Sequence, residues 1–272
     1  MRKMLIPLLV FMVLLLAACQ KTEAEQPTEE ITLPVVSTEV VTEPVPETEI
    51  PTEPEITEPR STEPQHSEFY IPGVSVEDVL PYFNEVCLDA EIVNSGDPSV
   101  LQKWTAPIEY ALFGDFTSED LSVFNDFVNW LNTIVGFPGL VEAQWPEDAP
   151  LQIYFCTQQD LVSRMGSGFA GDDGAVTFWY NGQNEIFKAV ICYRTDIAQF
   201  TRNSVILEEI YNCLGPIQDT QLRTDSIIYA GFSEPQNLTE MDELILRLLY
   251  HPWLVCGMDA ASCEAVIRQL YY

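Results

Sequence analysis

The residues best placed to do chemistry lie between Val205 and Gly215, V-I-L-E-E-I-Y-N-C-L-G, and in the loop just beyond. Two adjacent acids, Glu208 and Glu209, interrupt an apolar run; Asn212 follows Glu208 by four places, and Gln218 and Asp219 come after Gly215. On a helix that stops at Gly215, Glu208 and Asn212 project from one face. Their oxygens are hard donors, suited to calcium or magnesium rather than zinc, and Asp219 could join them. The same groups could instead hydrogen-bond one another and fix the loop after Gly215. A third chemistry is acid–base hydrolysis by Glu208 or Glu209 with Asp219 or Asp225, which for a glycosidic bond needs carboxyls about 5 to 10 Å apart. The chain holds two histidines, His66 and His251, so mechanisms built on two or three histidine ligands are excluded.

The spacing nonetheless resembles the zinc-binding helix of metzincin peptidases, H-E-x-x-H-x-x-G-x-x-H, followed by a Met-containing turn. Laid over it, Glu208, Asn212 and Gln218 stand at the ligand places, with Asp219 next in line. Glu209 falls on the catalytic Glu and Gly215 on the Gly that lets the chain bend. Downstream, Ser226-Ile227-Ile228-Tyr229 resembles the Met-turn with Ile228 in place of Met. Leu238-Thr239-Glu240-Met241-Asp242 and Leu248-Leu249-Tyr250 resemble the helix that follows in matrixin-like enzymes. The resemblance implies a zincin-type domain whose ligand positions are degenerate, with no metal and no cofactor. Glu209, without a Lewis acid, has nothing to activate. The chain also resembles a family of uncharacterised secreted bacterial proteins, known as a domain of unknown function. There E-E-x-x-[QN]-x-L-G, S-I-[FY] and L-Y-x-P … G-M correspond to Glu208–Gly215, Ser226–Tyr229 and Leu249–Met258. That likeness is the closer of the two, and it carries no established activity.

These residues need elements to position them. Ser75 to Ala90 has helical apolar spacing interrupted by Pro81, and Trp104 to Gly114 reads as a strand. Thr117 to Val135 is an amphipathic helix with a stripe from Leu121 through Phe124, Phe127 and Val128 to Leu131 and Ile134. A strand is expected over Leu151–Thr157, and a hairpin joins Gly174–Tyr180 to Ile186–Tyr193 through Asn181-Gly182. The loop Gly171-Asp172-Asp173-Gly174 reads as a turn. Helices follow at about Asn203–Leu214, Glu240–Tyr250 and Asp259–Leu270. This order predicts an α+β, metzincin-like domain over 68–272, its mixed, mostly antiparallel sheet packed with helices.

Met1 to Cys19 reads as a lipoprotein signal peptide. Arg2 and Lys3 precede an apolar run from Leu5 to Leu16, and Leu16-Ala17-Ala18-Cys19 is similar to a lipobox, with Cys19 the lipidation site. Two or more acyl chains would anchor the chain stably. Residues 20–67 form a disordered tether in which Thr-Glu-Pro recurs at 42–44, 52–54, 57–59 and 62–64. The expected location is the extracytoplasmic face of a bacterial cell membrane.

The formal charge is −30, and from Glu68 onward 30 acids face eight bases. So acidic a domain repels nucleic acid. The cysteines Cys87, Cys156, Cys192, Cys213, Cys256 and Cys263 permit 15 full pairings, and free thiols are equally compatible with the spacing. The functional expectation is a pseudo-metallopeptidase that binds a peptide or another envelope component. The alternative is a hydrolase using Glu208, Glu209 and Asp219, with or without a hard cation.

Overall fold

The computed structural model describes residues 67–88, 99–231 and 233–271. The leader expected over 1–19, with Cys19, and the tether up to His66 lie outside these residues. Among the described residues, six α-helices and six strands follow one another. They are α1 (Val76–Leu88), β1 (Lys103–Trp104), β2 (Ile108–Gly114), α2 (Ser118–Leu131), β3 (Leu140–Glu142), β4 (Leu151–Cys156), α3 (Gln158–Met165), β5 (Gly174–Tyr180), β6 (Glu185–Arg194), α4 (Gln199–Cys213), α5 (Glu240–Leu249) and α6 (Ala260–Tyr271).

Local chemistry sets most helix starts. Thr117, Thr157 and Thr239 cap α2, α3 and α5 by accepting a backbone N–H three residues on. At α2 and α5 an aspartate returns the bond and closes a capping box. The interruption expected at Pro81 does not occur: α1 runs through it. The carbonyl that Pro81 cannot reach belongs to exposed Glu77, where water can serve it. The strand expected over 104–114 divides into β1 and β2 around Pro107.

The sheet is mostly parallel, which corrects the mostly antiparallel arrangement expected from sequence. β2 pairs in parallel with β3 and β4, and β6 in parallel with β4 and β1. β5 runs antiparallel to β6. The cause is connection length. Two strands joined by a tight turn must run opposite ways, as β5 and β6 do, whereas a helical crossover such as α2 returns the chain in the same direction. Three-dimensionally the protein is therefore a mixed α/β assembly.

One core joins α1, α2, α4, α5, α6 and one sheet face, with Phe83, Phe124, Ile153, Ile206 and Ile245 all fully buried. Burying each such side chain contributes about 1.5–3 kcal/mol. α3 covers the other face, where Leu161, Ala175 and Cys192 pack together.

Candidate functional site

α4 starts four residues before the expected Asn203 because its first turn is tied down from outside. Asp120, fully buried at the start of α2, pairs with the Arg202 guanidinium and accepts a 2.7 Å bond from the Gln199 amide. The far half of α4 then lies across β5 and β6. Contact is closest at Gly174, where an added Cβ would stand 2.5 Å from Val205 Cγ1 and 2.6 Å from Glu209 Oε1. Only a residue without a side chain lets the strand approach the carboxyl this nearly.

Between α4, β5 and the loop beyond Gly215 lies a cleft of about 1050 Å³. Glu208, Glu209, Asn212 and Asp219 all line it. β5 supplies one wall. Arg194 N–H donates to the Asp173 carbonyl at 3.0 Å, so in this antiparallel pair Ala175, Thr177 and Trp179 turn their backbone groups toward β6. Gly174, Val176 and Phe178 turn theirs the other way, to an edge that no strand covers among the described residues.

The electrostatics are one-sided. Among the described residues the lining carries five acids, namely Asp172, Asp173, Glu208, Glu209 and Asp219, and no Lys, Arg or His. Glu209 is 8% exposed. Burial first, and then the charges of Glu208, Asp219 and Asp172, push its carboxyl well above the ordinary range. Glu208 is raised to about 8 by burial, with Asp219 and Asp173 adding to the effect. Both side chains therefore hold their protons to higher pH than an exposed carboxyl does. Asp173 is partly neutralised by Arg194 at 2.9 Å.

Gly215 makes the bend. Its φ of +126° is open to glycine, and a Cβ there would meet the Gln102 carbonyl at 2.6 Å. The loop that follows is clamped to α1: Glu85 accepts bonds from the Thr220 hydroxyl and the Gln221 N–H. The turn Ser226–Tyr229 closes the arrangement, with Ile228 fully buried and Tyr229 on the cleft wall. Ser226 donates to Asp242 at 2.7 Å, joining this turn to the start of α5. The two sequence segments singled out downstream thus meet through one carboxylate.

Of the residues read from sequence, four come together and others do not. Gln218 stands off the cleft, its amide donating to the Asp219 backbone carbonyl at 3.2 Å. Asp225 pairs with Arg223 at the surface. His251 packs edge-on against Phe69 and Trp253, away from the cleft. The six domain cysteines are free thiols. Sequence reasoning gave Gln102 no role, and read Gly174 only as part of a turn and the strand after it and Tyr229 only as part of the Met-turn likeness; all three stand on the cleft wall. Gly174 at the mouth of a strand was the one available signal; nothing in the chain links Gln102 to a helix a hundred residues away.

The ligand set does not fit zinc. Asn212 turns its amide N–H toward Asp219 Oδ1 at 3.2 Å, leaving one amide oxygen and two glutamates whose proton affinity burial raises, with no imidazole or thiolate among them. Among the described residues no group of three or more His, Cys, Asp and Glu is arranged around a metal position.

Residues 77–269 match the family described as "Protein of unknown function (DUF2927)". No curated protein matches the chain.

Proposed function

The chain belongs to that family, and we propose that it is a non-catalytic binding protein on a metzincin-like scaffold, tethered to the outer face of a bacterial membrane through lipidated Cys19. Its ligand is an extended peptide segment, free or part of another envelope protein, that adds as a strand to β5. One observation carries this reading. The outward backbone groups of Gly174, Val176 and Phe178 open onto the cleft directly beside α4. Strand addition needs those groups and no metal.

The scaffold reading is supported by the order of parts. A helix bearing Glu208, Glu209 and Asn212 ends at a bending Gly215, and a buried turn at Ile228 follows. Asp242 then ties that turn to the next helix. The anchoring reading rests on the positive, apolar and Leu-Ala-Ala-Cys segments of the leader. No helix among the described residues is long and apolar enough to cross a membrane.

Peptide arrays followed by calorimetry test the binding. Peptides N-methylated at alternate residues lose affinity if their backbone pairs with β5, and Val176→Pro, which removes one outward N–H, does the same. Equal affinity for methylated and unmethylated peptides would sink the reading.

A second reading follows from the carboxyls themselves. Two neighbouring glutamates whose proton affinities are raised by burial beside a groove are candidates for acid–base hydrolysis. Cleavage of peptide or glycan libraries that disappears with Glu209→Gln would establish it in place of simple binding.

A further inference from the structure

Two side-chain oxygens in the cleft have no hydrogen-bond partner among the described residues, Gln102 Oε1 and Asn212 Oδ1. Gln102 is 8% exposed, its main chain fixed against Gly215. A buried amide oxygen left unmatched costs about 1–3 kcal/mol, so a donor from elsewhere would be favoured there. Gln102 lines the cleft together with residues whose charged members are all acids. Glu208 and Asn212 sit one helical turn apart on the same side of α4, with Asp219 beside Asn212.

We infer that this part of the cleft is a subsite for a basic side chain, the ammonium of Lys or guanidinium of Arg, on the strand bound to β5. The inference rests on the strand-addition reading and names the class of peptide it would take. An ammonium brings three donors and a guanidinium five, and neither brings an acceptor. The subsite offers the complement: amide oxygens at Gln102 and Asn212 and the carboxyl of Glu208, whose proton a bound cation would displace. An apolar side chain would leave the two amide oxygens unmatched, and an acidic one would bring a further carboxyl into a lining whose charged residues are all acids. β5 also explains why a side chain reaches this depth. On an added strand alternate residues point to one face, so one side chain in two is directed toward α4.

The test uses the purified full chain and a series of short blocked peptides of one sequence. One position carries Lys, Arg, norleucine, citrulline or Glu in turn. Lys and Arg peptides are expected to bind at least about tenfold tighter than their norleucine and citrulline counterparts, the usual size of a charge-assisted bond. Glu208→Gln should compress that ratio, and a double-mutant cycle between residue 208 and the peptide position isolates the pair. Binding with no preference among the five peptides overturns the basic subsite and leaves strand addition standing. A ratio unchanged by Glu208→Gln places the recognition elsewhere and overturns it too. Loss of the Lys preference in saturable competition with millimolar calcium would assign these oxygens to a metal cation instead. Failure of every peptide to bind removes the edge-strand reading, and the subsite falls with it.

Discussion

The Tyr82 hydroxyl lies 2.8 Å from Asp242 Oδ1, joining residues that stand 160 positions apart in the chain. Asp242 is fully buried and accepts from five donors: Tyr82, Ser226, the Ile227 N–H, and both the N–H and the hydroxyl of Thr239. Three segments, α1, the Ser226–Tyr229 turn and α5, are thereby set by a single carboxylate. Asp242→Ala should lower stability by about 3–5 kcal/mol, because buried donors lose their partner together. Tyr82→Phe, which leaves Ser226 on Asp242, should cost about 1–2 kcal/mol. Urea unfolding measures both, and equal effects would contradict a centre at Asp242.

Gly174 holds β5 against the Glu209 carboxyl. Gly174→Ala would put a methyl 2.6 Å from Glu209 Oε1 and 2.5 Å from Val205 Cγ1, so these side chains have to repack or β5 and α4 have to part. Overpacking of this kind costs about 1–3 kcal/mol. The variant is expected to fold with lowered stability and to lose peptide binding by more than Gly182→Ala, a change in the hairpin turn where an added Cβ meets no atom within 4 Å and the backbone needs no glycine. Parity between the two in calorimetry would show that the β5 edge is not the binding wall.

Signals that act within a few residues were legible in the chain. Thr117 followed by Asp120, and Thr239 followed by Asp242, mark α2 and α5, and the structure starts both helices there. Asn181 marks the hairpin, and its side chain accepts from Gln183 and Glu185 to hold the turn. The Glu208, Glu209 and Asn212 spacing placed these residues on one helix, as found. What failed depended on partners far away. α4 begins early because Asp120 reaches Arg202, a contact that no local pattern announces. Strand direction depends on crossovers, which periodicity does not encode, so one visible hairpin biased the reading toward an antiparallel sheet. β3 and α3 are three and eight residues long, too short for a clear apolar pattern.

The glutamates make stability fall as pH rises. Their folded-state affinities for protons are raised, Glu208 to about 8 from the ordinary 4.5. Between those values the native state holds protons that the unfolded chain has released, so unfolding stability declines over that window. A loss on the order of a few kcal/mol is expected between pH 5 and pH 8. Glu208→Gln, neutral throughout, should flatten the decline and be the more stable protein at pH 8. A profile with the same slope in both proteins would show that burial of this carboxyl is not its cause.

Lys103 gives the opposite sign in a higher window. Its ammonium donates to the Leu249 carbonyl at 2.7 Å and the Leu254 carbonyl at 2.5 Å, stopping α5 and pinning the turn after it. Burial lowers its proton affinity to about 8. Between about 8 and the ordinary lysine value the unfolded chain binds more protons, so this group's contribution grows as pH rises. Lys103→Met should cost about 2–4 kcal/mol by leaving two buried carbonyls unmatched, and should remove that alkaline gain. Chemical unfolding at pH 7 and pH 9.5 separates the two effects.

Among the six domain thiols, Cys156 should react first. Cys192, on the neighbouring strand, hydrogen-bonds its sulfur and holds the Cys156 thiol below the ordinary range, against the opposing effect of burial. Cys87, Cys213, Cys256 and Cys263 are all raised, chiefly by burial, and Cys192 is raised by its bond to Cys156 before burial is counted. The thiolate is the attacking form, so a lowered value at a half-exposed sulfur translates into rate. Limiting iodoacetamide on the reduced native protein at pH 7.5, read by peptide mass mapping, should label Cys156 roughly tenfold faster than Cys256, the other half-exposed thiol. Cys192→Ala removes the assisting hydrogen bond and should slow Cys156 without changing Cys256. If Cys156 keeps its rate in that variant, exposure alone governs its reactivity and the paired-thiol explanation is wrong.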